Sequence, residues 1–269
     1  MSSKNSGSMP PLAKAFTKFL NCECTYFPPM SSSQPIMEAL NEALVEGKKK
    51  MYVPVLLRVD DHLWSGVLQN VFPNSFLKYE DNYNFPLEPI ERYRSNILKK
   101  KLPDGRDLLD YLLEHRKGRC DYTGEDWEED VIGPIEDGRQ IDSLSCIRGR
   151  KGTAPVILAK IPGKVPWKIF AYLPLGSYKQ CFDTTLWNMA MTKYFYKEYN
   201  ATLVAMSGDC LEFKVPEPIS KDKALQAALD MYAYCCDLDY DTTMGQLADT
   251  LTKSTIWTLQ WEYVYKAID

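Results

Sequence analysis

Between Pro155 and Glu217 the spacing of apolar residues changes period twice, and each change predicts an element. Val156, Ile157, Leu158 and Ala159 form a short apolar run that stops at Pro162, the pattern of a buried strand running into a turn. Ile169 to Leu173 reads as a second extended piece. From Leu186 the spacing turns helical, with Trp187, Ala190, Met191, Tyr194 and Phe195 on one stripe. Asp183 or Thr184 offers an N-cap oxygen, and Asn200 suits a left-handed stop. Leu203 to Met206 and the turn Ser207-Gly208-Asp209 then open a hairpin. In its second arm Leu211, Phe213 and Val215 alternate with Cys210, Glu212 and Lys214, which predicts one buried face.

The flanking patterns are simpler. Residues 1–33 are rich in Ser and Pro, with Leu12, Ala15, Phe16 and Phe19 as an apolar patch, and read as a mobile tail that docks by that patch. Residues 34–118 read as an N-terminal α/β region. It holds a helix through Ile36, Leu40, Ala43 and Leu44, then a strand over Tyr52–Val59, where Pro54 leaves one edge without a ladder partner. Asp60 or Asp61 caps or turns the chain into His62-Leu63-Trp64. Helices follow at 86–98 and from Leu108 to near Gly118. Residues 119–153 show no sustained period and read as a linker or covering loop. Residues 154–269 continue with a helix capped by Ser220, on which Leu225 and Leu229 are expected to be buried with Ala224 and Ala228. A capping box at Thr243 and Gln246 opens a short helix, and a closing strand carries Trp257, Leu259 and Trp261. The predicted class is α+β: a C-terminal ferredoxin-like β-α-β-β-α-β half with an added helix, preceded by the smaller N-terminal half.

With 45% hydrophobic and 12% aromatic residues, the 269-residue chain can bury a substantial core. A net charge of -4 gives no electrostatic reason for a nucleic-acid partner. No apolar run approaches the ~20 residues that span a bilayer, and the expected location is the cytoplasm. The eight cysteines are therefore expected as reduced thiols. Cys22-x-Cys24 and Cys235-Cys236 lack zinc-knuckle spacing, only His62 and His115 could complete a site, and neither metal nor cofactor is expected.

Candidate chemistry is sparse, and no P-loop, dinucleotide, zinc-protease or nucleophile-elbow motif occurs. Cys181, placed before a helix N-terminus, could be a thiolate, yet neither histidine lies near it in sequence to act as its base. Asp237, Asp239 and Asp241 have calcium-loop spacing but lack the Gly and Glu that such a loop needs. Asp209 and Glu212 could pair as acid and base, or be a turn Asp beside an outward-facing strand Glu.

One longer pattern carries a resemblance. ILAKIPGKVPWKIFAYLPLG, a Cys-x-Asp before a Trp- and Tyr-rich helix, SGDCLEFKVPEP, ALDMYAYCCD and the Trp-rich end resemble the bacterial family named domain of unknown function 4253 over roughly 155 to 262. Gly176-Ser177-Tyr178-Lys179 stands where that family carries Gly-Gly-Trp-Asn. The resemblance points to the loop 174–183 as the place where a site would lie. Two functional classes remain. One is a non-catalytic protein-interaction module, of the kind an immunity or defence adaptor would be, with another protein as partner. The other is a small-ligand protein or enzyme with a pocket where loop 174–183 meets segment 235–241. Its expected site residues are Tyr178, Lys179, Cys181, Asp209, Cys236 and Asp237.

Overall fold

A computed structural model describes residues 9–175, 184–235, 238 and 242–261. Six strands form one mixed sheet: β1 (Glu23–Phe27), β2 (Tyr52–Arg58), β3 (Val156–Pro162), β4 (Thr202–Met206), β5 (Cys210–Lys214) and β6 (Ile256–Gln260), in the order β1-β3-β2-β4-β5-β6. All neighbours are antiparallel except β2 and β4, which run parallel. The β2–β4 ladder is confined to Leu56–Ala205 and Leu57–Met206. It lies beyond Pro54, as the missing donor at that residue requires. The described helices are α1 (Pro11–Leu20), α2 (Gln34–Lys50), α3 (Asp61–Val71), α4 (Phe76–Glu80), α5 (Glu88–Lys99), α6 (Gly105–Thr123), α7 (Ile169–Tyr172), α8 (Thr184–Tyr199), α9 (Lys221–Tyr234) and α10 (Met244–Leu251).

The sheet is covered on both faces, which is why its strands are apolar at successive positions. Val55, Leu57, Ile157, Leu211, Phe213 and Trp257 face the larger core, which also holds Phe16, Trp64 and Phe195. Leu56, Val156, Leu158, Val204, Cys210 and Ile256 face a smaller core closed by Ile36, Leu40 and Ala43 of α2 and by Leu144, Cys146 and Ile147. Leu144, Cys146 and Ile147, from the stretch 119–153, are thus part of the cover on this face. The sheet takes two strands from before it and four from after it.

The ferredoxin-like order does not occur. That order needs parallel strands around its first helix, whereas β2 is antiparallel to β3 and parallel to β4, so β3 and β4 run in opposite directions. The N-terminal strand β2 occupies the slot between them, and β6 pairs with β5 at the far edge.

Four local expectations also change. In place of a mobile tail, the part of 1–33 that is described forms α1 and the edge strand β1, because Ala13, Phe16, Phe19 and Leu20 pack fully into the larger core. Ile169–Tyr172 is a helical turn and not extended. The β4–β5 hairpin is buried on both faces, with Glu212 as inaccessible as Leu211. On α9 the buried face is Ala224, Ala227, Ala228 and Met231 together with Asp230, while Leu225 and Leu229 are half-buried; Trp187 on α8 is half-buried too. Helices packed closely on both sides of α9 favour its small side chains at the contact.

Candidate functional site

The parallel pair β2/β4 places two chain reversals at one end of the sheet. After Arg58 the chain passes through Val59 to Asp60, whose side chain caps α3: Asp60 Oδ1 accepts the Leu63 backbone N–H at 2.7 Å. The other oxygen, Oδ2, lies 3.5 Å from Arg58 Nε. His62, in the first turn of α3, follows directly. At the end of β4 the turn Ser207-Gly208-Asp209 comes against it. A Cβ at position 208 would sit 2.7 Å from His62 Cβ and 2.8 Å from its Nδ1, so only glycine allows this approach.

Further contacts close the end. Ser207 Oγ donates to Asp209 Oδ1 at 2.7 Å, and the Asp209 carbonyl accepts from the Trp261 backbone N–H at 2.8 Å, which draws the chain after β6 to the turn. Asn70 on α3 donates through Nδ2 to the Pro174 carbonyl at 3.2 Å, which fixes the start of the segment after α7 beside α3. Burial pushes the Asp60 carboxyl above its ordinary value, against the Leu63 N–H, the Arg58 guanidinium and His62; Asp209 pushes it further up. The mouth therefore offers two carboxylates, an imidazole and a guanidinium within one electrostatic neighbourhood. Such a set can bind a polar ligand through charge-assisted hydrogen bonds. Among the described residues no three His, Cys, Asp or Glu side chains come together as metal ligands, and no described helix is long and apolar enough to cross a membrane.

Of the expected site residues, Asp209 is placed at this mouth. Tyr178, Lys179, Cys181, Cys236 and Asp237 lie outside the described residues, as do Asp239 and Asp241. The Asp209–Glu212 acid/base pairing does not form. Glu212 turns to the opposite side of β5, where its carboxylate accepts from the Ser145 N–H at 2.6 Å, Ser145 Oγ at 2.7 Å, the Cys146 N–H at 3.2 Å and Thr258 Oγ1 at 3.2 Å. Sequence reasoning missed Asp60 and His62 as members of a site. The rule that ligands gather at the carboxyl ends of parallel strands would have found them, but it can be applied only once β2 is known to pair with β4.

Residues 157–262 match the family model described as Domain of unknown function (DUF4253). No curated protein and no solved structure matches the chain. The matched segment runs from β3 to just beyond β6 and includes Asp209, while Asp60 and His62 come from before it.

Proposed function

We propose that this protein binds a small, polar ligand, without catalysis at that site, at the carboxyl ends of β2 and β4, against Asp60, His62 and Asp209. The observation that carries the reading is the seating of the His62 ring on Gly208, which joins the loops after two parallel strands with no room for a side chain between them. Binding is favoured over catalysis because the acidic groups are already engaged. Asp60 caps a helix and faces Arg58, and Asp209 accepts from the Ser207 hydroxyl. The cytoplasmic setting expected from the sequence is retained in this proposal. Native mass spectrometry of the purified full chain tests it: an adduct of small-molecule mass is expected on the wild type and is lost in His62→Ala. A bare chain, or an adduct retained by His62→Ala, would count against the site.

A second reading, with a basic protein segment as partner, has its own support. Glu125, Asp126, Glu128, Glu129 and Asp130 are all exposed around a π-helical turn, Trp127–Ile132. Along α6, Tyr111, Glu114, His115, Arg119 and the 91%-exposed Tyr122 line an open groove of about 630 Å³. Carboxylates next to exposed rings suit arginine and lysine side chains. An arginine-rich peptide should bind with an affinity that falls steeply with salt and collapses in a Glu128→Lys, Glu129→Lys double variant; binding that ignores both changes removes this reading.

A further inference from the structure

The junction of α1 and β1 carries two thiols in contact. Cys22 and Cys24 flank Glu23, both are half-buried, and their sulfurs are 4.0 Å apart. The two thiols share one hydrogen bond in which either can be the donor, and Lys160 of β3 lies opposite Glu23 between them in the β1–β3 ladder. The nearby cation is Arg94 on α5. Its guanidinium lies 4.0 Å above the Tyr172 ring and donates through Nη2 to the Phe19 carbonyl at 3.1 Å. Its Nε is buried without a hydrogen-bond partner, and among the described residues no carboxylate forms an ion pair with it. A largely buried cation is costly unless opposite charge lies near it, and a thiolate at Cys22 adds to the Glu91 carboxylate in that role. The hydrogen bond from Cys24, opposed by burial and helped by Arg94 and the Lys160 N–H, holds the Cys22 thiol below its ordinary value; the same contact raises Cys24. The pair thus has an attacking and a resolving member. β1 is also an edge strand of the sheet, and both thiols, packed against the larger core, keep part of their surface exposed.

We propose that Cys22 and Cys24 form a dithiol site that reduces low-molecular-weight disulfides. The Cys22 thiolate attacks one sulfur of the disulfide; a Cys22–S–S–R bond forms, the original S–S bond breaks, and one RS⁻ leaves with the electron pair and takes a proton from solvent. Cys24 then gives its proton to solvent and attacks the Cys22 sulfur, expelling the second RS⁻, which is protonated in turn. Two electrons and two protons pass from the dithiol to the small disulfide, and the protein is left with a Cys22–Cys24 disulfide. A second sulfur pair serves as the internal control. Cys146 and Cys210 also touch, but both lie in the smaller core, and burial first of all pushes the Cys146 thiol well up, so this pair stays inert while the chain is folded.

The test incubates the full chain with oxidised glutathione, quenches with acid, alkylates and maps the cysteine peptides by mass. In the wild type the peptide holding Cys22 and Cys24 should lose two hydrogens while Cys146 and Cys210 are alkylated as free thiols. Cys24→Ser should trap a glutathione adduct on Cys22, Cys22→Ser should leave Cys24 unreacted over the same period, and Arg94→Met should slow adduct formation. The proposal is overturned if Cys24 reacts as fast without Cys22, if the buried pair reacts at the same rate, or if the wild-type peptide keeps both thiols when the denatured chain loses them.

Discussion

Four carboxylates in this molecule fall into two pairs that differ in who holds them. Asp230 on α9 is fully buried and every bond comes from elsewhere or from a helical turn away: Arg106 Nη1 at 2.8 Å, Tyr194 Oη at 2.9 Å, Tyr199 Oη at 2.6 Å and Gln226 Nε2 at 2.9 Å. These bonds tie α6 and α8 to α9. Glu212, equally buried, fastens the covering segment at Ser145 and Cys146 onto β5 and β6. Asp60 and Asp209, at the end of the sheet, are only half-buried and are held by neighbours within a few residues: Leu63 and Arg58 for the first, Ser207 for the second. A buried carboxylate saturated by long-range donors works as a fastener. One held locally at an open end is still able to meet a ligand. The two pairs differ both in burial and in the sequence distance of their donors.

The largest effect should come from Asp230→Ala, which removes the acceptor of two tyrosine hydroxyls and leaves the half-buried Arg106 with Asp110 alone. A loss of about 3–5 kcal/mol in denaturant unfolding is expected, and a loss below about 1 kcal/mol would show that the cluster is no fastener. Glu212→Gln comes next. One of its oxygens becomes an amide that faces backbone N–H donors, so about 1–3 kcal/mol should be lost, with amide hydrogen exchange accelerated between residues 141 and 147. Unchanged exchange there would detach Glu212 from the covering segment. His62→Ala should change stability by no more than about 0.5–1 kcal/mol while abolishing the small-molecule adduct; a larger loss of stability returns His62 to the fasteners.

The smallest effect concerns an intermediate case, Glu46 on α2. It is saturated by donors but lies at the surface, bonded to Lys50 at 2.5 Å, Tyr52 Oη at 2.5 Å and Lys160 at 3.1 Å. Lys50 first, then Tyr52 and Lys160, lower its carboxyl to about 2 from an ordinary 4.5. A lowered carboxyl stabilises the fold above its unfolded value, so the contribution is complete above about pH 4.5 and drains away as the pH falls towards about 2. A side-chain NMR titration of Glu46 with an ordinary midpoint would refute this.

Much of the local structure was legible in the chain. Thr243 does cap α10, with its hydroxyl oxygen accepting the Gln246 N–H at 3.2 Å, and Asn200 does take a left-handed φ of 54° after α8. Leu211 and Phe213 do share a core face, as their alternation requires. Of the site, Asp209 was legible because its turn chemistry is local. Asp60 was legible only as a cap, and His62 carries no local signal because its contact with Gly208 forms only in the tertiary structure.

What the sequence by itself determined are features whose physics acts over two to four residues: the shared face of Leu211 and Phe213, the cap at Thr243, the left-handed stop at Asn200 and the turn at Gly208. Those interactions have few competitors, so they can be read from spacing. Strand order is different. β3 could pair with β4 or β6 by local preference alone, and β2 was chosen because it brings Val55 and Leu57 to one core and Leu56 to the other, a gain that exists only once both layers are assembled. The insertion of β2 then decides the rest. It makes β2 and β4 parallel, carries His62 onto Gly208, and leaves room on the other face for residues 144–147 to bury Glu212. None of these long-range contacts has a local signature, since each partner alone is an ordinary turn, cap or strand residue until tertiary packing sets it opposite the other.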